Sequence, residues 1–181
     1  MNTSLLKKNL SNIILSKSNS DLNFFTTKKS FLDKNLTSLN DVFLEISRVS
    51  EQEYGIQSDE LYLSSKINEK NNLISFDNGV LLINGLFKRL KKNCLLFFRL
   101  EKPILCNNKK ATDIIFTLLT PNNIKTSNKL QILAKLTRIL QNPNIRKEIK
   151  GVKNPEDVLA LLLLTSSWVN KDIIWIEMIL K

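Results

Sequence analysis

The sequence predicts an α/β fold, a three-layer α/β/α sandwich in which helices cover both faces of a mixed β-sheet. Two observations predict it: apolar runs of strand length follow one another in mid-chain, and helix-forming segments with recognisable caps flank them. The runs are 79–84, 94–100 and 112–120, and their consecutive apolar residues are typical of strands buried on both faces. With a short strand at 30–35, the predicted order is β-α-α-β-β-β-α-α-α.

The helices before these runs are predicted from their N-terminal residues. In "TSLNDVFLEISRVS", Ser38 is the expected N-cap and Asp41 completes a capping box ahead of apolar residues at helical spacing. A second helix is expected from Ser58 to about Ile67, because the acidic residues in its first turn would interact favourably with the helix dipole.

The helices after these runs are also predicted from their caps and from the spacing of their apolar residues. From Ser127, "SNKLQILAKLTRILQ" predicts an amphipathic helix with Lys129 exposed to solvent. The residues expected on its buried face are Leu130, Leu133, Leu136 and Leu140. Asn142-Pro143 begins a short helix that ends at Gly151, and Asn154-Pro155 begins the last helix.

The domain organisation follows from composition along the chain of 181 residues. Residues 1–27 are polar and weakly periodic, which predicts a poorly structured extension. Residues 28–163 carry the predicted strands and helices and form one domain. Residues 164–181 are expected to pack on that domain as a C-terminal tail.

The charge is strongly basic, with a formal net charge of +10. Between Lys88 and Lys110 there are eight basic residues against Glu101 alone. Such a patch would attract nucleic acid or an anionic membrane surface, although a solvated surface is the favoured interpretation. It lacks the interleaved aromatic residues that are typical of an RNA-binding sheet.

The remaining composition predicts neither a cofactor nor a metal site. Cys94 and Cys106 are the two cysteines, and both lie in or beside apolar runs, which fits neither a disulfide framework nor zinc spacing. Charged and polar residues interrupt the apolar C-terminal stretch, so no transmembrane span is predicted. A reducing, cytoplasmic location is the expectation.

The segment from "TDIIFTLLTPNNIKTSNKLQILAKLTRILQ" to "NPEDVLALL", together with the order of elements, resembles a known family. It is similar to the phosphotransferase-system IIA domain of the fructose/mannitol type, the type-2 EIIA domain, and most closely to its nitrogen-regulatory branch. The resemblance covers roughly residues 28–163 and implies the predicted α/β fold.

The resemblance assigns candidate site residues by motif. The family carries Gly-x-Ala-x-Pro-His, in which the histidine accepts the phosphoryl group. With Gly79 on the motif's glycine, Asn84 falls on that histidine and Glu69 on the family's glutamate. The family's arginine falls on Asn68, and its second histidine aligns with Lys129. The sequence contains no histidine at all.

Asparagine in place of the acceptor histidine changes the function that the resemblance implies. An asparagine amide nitrogen has its lone pair delocalised into the carbonyl group, so it cannot accept a phosphoryl group as an imidazole does. The chain is therefore expected to be a regulatory protein-interaction module and not a phosphotransferase. Expected partners are a phosphocarrier protein, a sensor kinase or an ion transporter. The expected contact residues are Asn84, Gly85, Leu86, Phe87 and Lys129, with the two apolar side chains exposed.

Other interpretations remain open from the sequence. Asn84-Gly85 between apolar residues is also a strong signal for a two-residue hairpin turn. An active phosphotransferase would need another acceptor, and Cys94 lacks the loop or helix N-terminus that activates a thiolate. The basic patch could serve a binding protein for nucleic acid or membrane, and a folded remnant with little function is a further alternative.

Overall fold

The computed structural model describes residues 27–56, 72–77, 79–106, 111–155, 157–158 and 161–162. The strands are β1 (Thr27–Lys34), β2 (Leu73–Ser75), β3 (Val80–Phe87), β4 (Cys94–Leu105) and β5 (Ala111–Pro121). The helices with defined bounds are α1 (Leu39–Tyr54), α2 (Thr126–Leu140) and α3 (Pro143–Gly151). The described residues from 155 to 162 are also helical.

The strands form one mixed sheet in the order β1-β4-β5-β3-β2. β3 and β5 are parallel, with Phe87 opposite Pro121, while β4 runs antiparallel to β5 and starts with Cys94 opposite Leu119. The ends of β3 and β5 and the start of β4 therefore meet at one end of the sheet. We call this end, residues 84–93 and 118–130, which includes the start of α2, the carboxyl edge.

Helices cover both faces of the sheet, because successive side chains of each strand point to opposite faces. One core cluster joins Val80, Leu82, Ile114 and Phe116 to buried residues of α2 and α3. The other joins Leu81, Ile83, Ile115 and Leu119 to buried residues of α1. The predicted three-layer α/β/α fold is confirmed.

The predicted caps are confirmed where the structure describes them. In the capping box of α1, the Asp41 backbone N–H donates to Ser38 Oγ at 3.1 Å and the Ser38 N–H donates to Asp41 Oδ2 at 2.9 Å. At α3, the Asn142 side chain accepts from the Asn144 N–H at 3.0 Å. The helix predicted from 58 to 67 lies outside the described residues.

The hairpin predicted at Asn84-Gly85 is wrong, because β3 continues through both residues to Phe87. The turn lies earlier, between β2 and β3. There the Phe76 N–H donates to the Val80 carbonyl at 2.9 Å, and Gly79 has a φ of 77°, in the left-handed region that favours glycine. The sequence has a second Asn-Gly pair at 78–79, and its glycine is the one that the turn uses.

Two further predictions need correction. β2 was absent from the predicted order, because three residues that pair only with β3 give too short a pattern to recognise. Leu130 is 60% exposed and does not belong to the buried face of α2. That face contains Ile132, Leu136, Ile139 and Leu140, and Leu130 lies about 200° around the helix from Ile132.

Candidate functional site at the carboxyl edge

Asn84 is a buried polar residue near the end of β3, with 5% of its surface exposed. It lies between β2 and β5, opposite Leu118 of β5. Its Nδ2 donates a hydrogen bond to the carbonyl oxygen of Asn72 at 3.1 Å. Because side chains alternate along the strand and Leu82 belongs to the cluster under α2 and α3, Asn84 points to that face of the sheet.

Gly85 is required by packing and not by a turn. A Cβ at this position would lie 2.7 Å from the ring of Phe87, so any larger residue would displace that ring. Phe87 itself is 1% exposed and belongs to the α1-side core, which corrects the expectation that it is an exposed contact. Leu86, which points to the opposite face, is 42% exposed and remains available to a partner.

Lys129 lies in the first turn of α2, on the same face and at the same edge as Asn84 and Leu86. The side chain is half-buried, and burial lowers the pKa of Lys129, since the surroundings disfavour the charged amine. The expectation of a fully solvated lysine is therefore wrong. Asn84, Leu86 and Lys129 are the predicted site residues that share this face and edge.

Two hydrogen bonds hold the backbone of the carboxyl edge together. Thr120 Oγ1 donates to the carbonyl oxygen of Gly85 at 2.9 Å, and the Asn122 N–H donates to the carbonyl oxygen of Phe87 at 3.0 Å. They join the end of β3 to the end of β5 and to the connection that leads into α2. One side-chain and one backbone hydrogen bond therefore fix the ends of β3 and β5 at this edge.

The other motif residues lie elsewhere or outside the described residues. Gly79 immediately precedes β3 and lies roughly 16 Å of extended chain from Asn84. A Cβ on Gly79 would lie 3.1 Å from both the Ala111 carbonyl oxygen and Arg146 Nε. Glu69 and Asn68 lie outside the described residues, so their relation to the edge stays a prediction.

An ion-pair cluster beside Gly79 was not predicted from the sequence. The buried Asp113 carboxylate accepts from Arg146 Nη2 at 3.0 Å and pairs with Lys150 Nζ at 2.6 Å. It lies at the start of β5, at the end of the sheet away from Asn84, and it ties α3 to the sheet. The signal in the sequence was Asp113 itself, because an acidic residue within an apolar strand is rarely left unpaired.

The described residues offer no obvious replacement for an acceptor histidine. Cys94 is 1% exposed and its Sγ donates to the Lys92 carbonyl oxygen at 3.4 Å, so its thiol is not open to a phosphorylated donor. Within the described ranges, no group of three or more cysteine, aspartate or glutamate side chains is placed to bind a metal ion.

Comparison with known proteins identifies the protein family to which this chain belongs. The family model described as "Phosphoenolpyruvate-dependent sugar phosphotransferase system, EIIA 2" matches residues 23–164, and the chain belongs to that family. Within the family it is similar to the nitrogen-regulatory proteins. A "Nitrogen regulatory protein" of Bradyrhizobium diazoefficiens is 28% identical over 88 residues, covering 48% of this chain and 57% of that protein.

Solved structures agree with this assignment. The nitrogen regulatory protein IIA-Ntr of Neisseria meningitidis is 25% identical, with a TM-score of 0.67 over 74% of this chain and 92% of that chain. The complex of enzyme IIAMtl with phosphorylated enzyme IIBMtl from Escherichia coli has a TM-score of 0.60 at 14% identity, over 74% of this chain and 92% of that one. The latter similarity concerns the fold alone. Among the described residues, no helix is long and apolar enough to cross a membrane.

Proposed function

We propose that this chain is a nitrogen-regulatory-type IIA protein that cannot be phosphorylated, with Asn84 in the position of the family's phosphate-accepting histidine. The observation that carries the proposal is the absence of histidine from all 181 residues of a family member. Its role is then that of a regulatory protein-interaction module and not of a phosphotransferase.

The geometry of Asn84 supports this proposal. Its Nδ2 is already engaged as a donor to the Asn72 carbonyl oxygen, and an amide nitrogen has no lone pair free for attack. Phosphoryl transfer also needs the acceptor in line with the phosphorus and the leaving group, and a side chain that is 5% exposed leaves little room for that approach. Both features disfavour phosphorylation at this position.

Without phosphorylation at Asn84, the carboxyl edge keeps one chemical state. A phosphoryl group would add a charge of about −1.5 to −2 at the carboxyl edge and would change which partners bind there. With a neutral asparagine the edge presents the same surface at all times. We propose a protein partner in the cytoplasm, of the kinds that the family implies: a phosphocarrier protein, a sensor kinase or an ion transporter. The mannitol relative is solved in complex with another protein, enzyme IIBMtl, which is consistent with a protein partner but names none of these kinds.

Restoring both histidines tests the assignment of Asn84. We expect the double variant Asn84→His/Lys129→His to accept a phosphoryl group from a phosphorylated phosphocarrier protein at neutral pH, detected by intact mass. Lys129→His alone is the matched control and should accept none. Thermal unfolding of both variants establishes that each is folded. A folded double variant that stays unmodified would contradict the assignment of Asn84 to the acceptor position.

A further inference from the structure

Two segments of the chain carry many cations and no carboxylate. Neither 78–100 nor 114–147 contains aspartate or glutamate. Their basic residues are Lys88, Arg89, Lys91, Lys92, Arg99, Lys125, Lys129, Lys135, Arg138, Arg146 and Lys147. Since these segments form β3, α2 and parts of β4, β5 and α3, the fold decides where this charge is concentrated.

The topology brings six of these cations to the carboxyl edge. Lys88, Arg89, Lys91 and Lys92 lie in the connection from β3 to β4, and all four are exposed. Leu90, in the middle of this connection, is buried in the α1-side core and anchors it. Lys125 and Lys129 follow β5 at the same edge, because the ends of β3 and β5 lie side by side.

These six edge cations differ from the cations at the other end of the sheet. There Arg99 pairs with Asp33, and Arg146 pairs with Asp113. Within the described ranges no carboxylate pairs with the edge cations. Like charges at one end of the sheet repel one another, so a ligand that supplies negative charge would be bound favourably.

Two leucines lie beside this charge. Leu86, two residues before Lys88 and on the α2 side of β3, is 42% exposed. Leu130, which follows Lys129 in α2 and points away from the sheet, is 60% exposed. The described part of the chain has no exposed aromatic side chain on which nucleic-acid bases could stack. Exposed leucines with a charged border are typical of protein interfaces, where an apolar centre is surrounded by a polar rim.

We propose that the carboxyl edge is a docking surface for a protein partner whose contact surface is acidic with apolar residues at its centre. The edge cations would pair with the partner's carboxylates, and Leu86 and Leu130 would pack against its apolar residues. This inference rests on the proposed function, because the edge keeps its positive charge only if Asn84 is never phosphorylated.

Two synthetic peptides of equal length and net charge test the proposal on the full chain by fluorescence anisotropy. One contains glutamate with glycine and serine, and the other has two central leucines in place of serines. We expect both to bind at low salt and the leucine peptide to bind several-fold more tightly. Lys88→Glu/Lys91→Glu should weaken both by about tenfold or more, since reversed charges repel the glutamates.

Two further variants complete the design. Lys102→Glu/Lys153→Glu makes the same charge change on exposed lysines away from the carboxyl edge and should leave both affinities within about twofold of wild type. Leu86→Ser/Leu130→Ser should abolish the advantage of the leucine peptide while the all-polar peptide binds as before.

Several outcomes would overturn the proposal. They are failure of both peptides to bind, equal weakening by the control charge reversal, and no preference for leucine. Tighter binding to a single-stranded oligonucleotide or to phosphatidylglycerol vesicles than to either peptide would assign the edge to nucleic acid or membrane instead. Phosphorylation of the double histidine variant is a separate readout, so failure here and failure of the proposed function can be told apart.

Discussion

At the scale of single residues, the carboxyl edge shows how a polar side chain can be kept inside a sheet. Burying an amide without a partner costs about 1–3 kcal/mol in proteins, and Asn84 avoids that cost through its bond to the Asn72 carbonyl. Gly85 next to it leaves space for the Phe87 ring. The pair Asn84-Gly85 therefore fits a strand here, although the same two residues commonly form turns.

Glu45 supplies a prediction at this scale. Hydrogen bonds from Arg48, together with an ion pair to Lys34, lower the pKa of Glu45 from 4.5 to about 2. A carboxyl group whose pKa is lowered in the folded state stabilises the protein above its unfolded pKa and loses that contribution as the pH falls. We expect Glu45→Gln to be less stable than wild type at pH 7, with the difference shrinking between about pH 4.5 and pH 2.

Urea unfolding of both proteins at several pH values measures this difference. Glu148→Gln, at an exposed position on α3, is the matched control for replacing a glutamate by glutamine. A Glu45→Gln difference that stays constant down to pH 2 would contradict the role of the two cations.

At the scale of elements, α1 depends on its capping box. Replacing Ser38 by alanine removes the acceptor of the Asp41 N–H and should lower the free energy of unfolding by about 1 kcal/mol. Ser127→Ala in the first turn of α2 is the matched control, because α2 has no side-chain cap bond, and it should change stability by less than about 0.5 kcal/mol. Equal losses in the two variants would argue against the capping box.

The success of prediction from sequence also differs between elements. The caps of α1 and α3 and the buried strands were predictable, because each depends on residues within a few positions of one another. β2 was not, since three residues become a strand only by pairing with β3. The face of α2 was partly wrong for a related reason: Leu130 and Ile132 are both apolar, and only the position of the sheet decides which is buried.

The candidate site was less predictable than the fold. The resemblance placed Asn84 and Lys129 on motif positions, but their burial depends on strand register and on how α2 packs. Phe87 illustrates the limit, because one step along a strand moves a side chain to the opposite face. The cations of the carboxyl edge were visible in the sequence, whereas their grouping with Leu86 and Leu130 required the topology.

At the scale of the whole molecule, Arg99 connects β1, β4 and the end of α3. Its guanidinium donates to both carboxylate oxygens of Asp33 at 2.9 Å and to the carbonyl oxygen of Val152 at 2.6 Å. It also donates to the carbonyl oxygens of Ile149 and Lys150, which satisfies acceptors at the end of α3. One side chain thus joins elements that are far apart in sequence.

Removing this connection should have a measurable effect on global stability. We expect Arg99→Ala to lower the free energy of unfolding by about 2 kcal/mol, because charge-assisted hydrogen bonds are lost from a side chain that is 12% exposed. Arg99→Lys should recover only part of this, since an ammonium group cannot reproduce the planar fork. The exposed Arg138→Ala is the control, expected within about 0.5 kcal/mol of wild type. Full recovery in Arg99→Lys would show that charge alone matters.

Phosphorylation of the unaltered chain shows directly whether the protein can accept a phosphoryl group. The protein is incubated at neutral pH with phosphoenolpyruvate, a phosphocarrier protein and the enzyme that phosphorylates the carrier, beside a histidine-containing member of the family. Intact mass is then recorded without acid, which would cleave a phosphohistidine in the comparison protein. We predict that this chain stays unmodified while the comparison protein gains a phosphoryl group. A phosphoryl group on the unaltered chain would contradict the account.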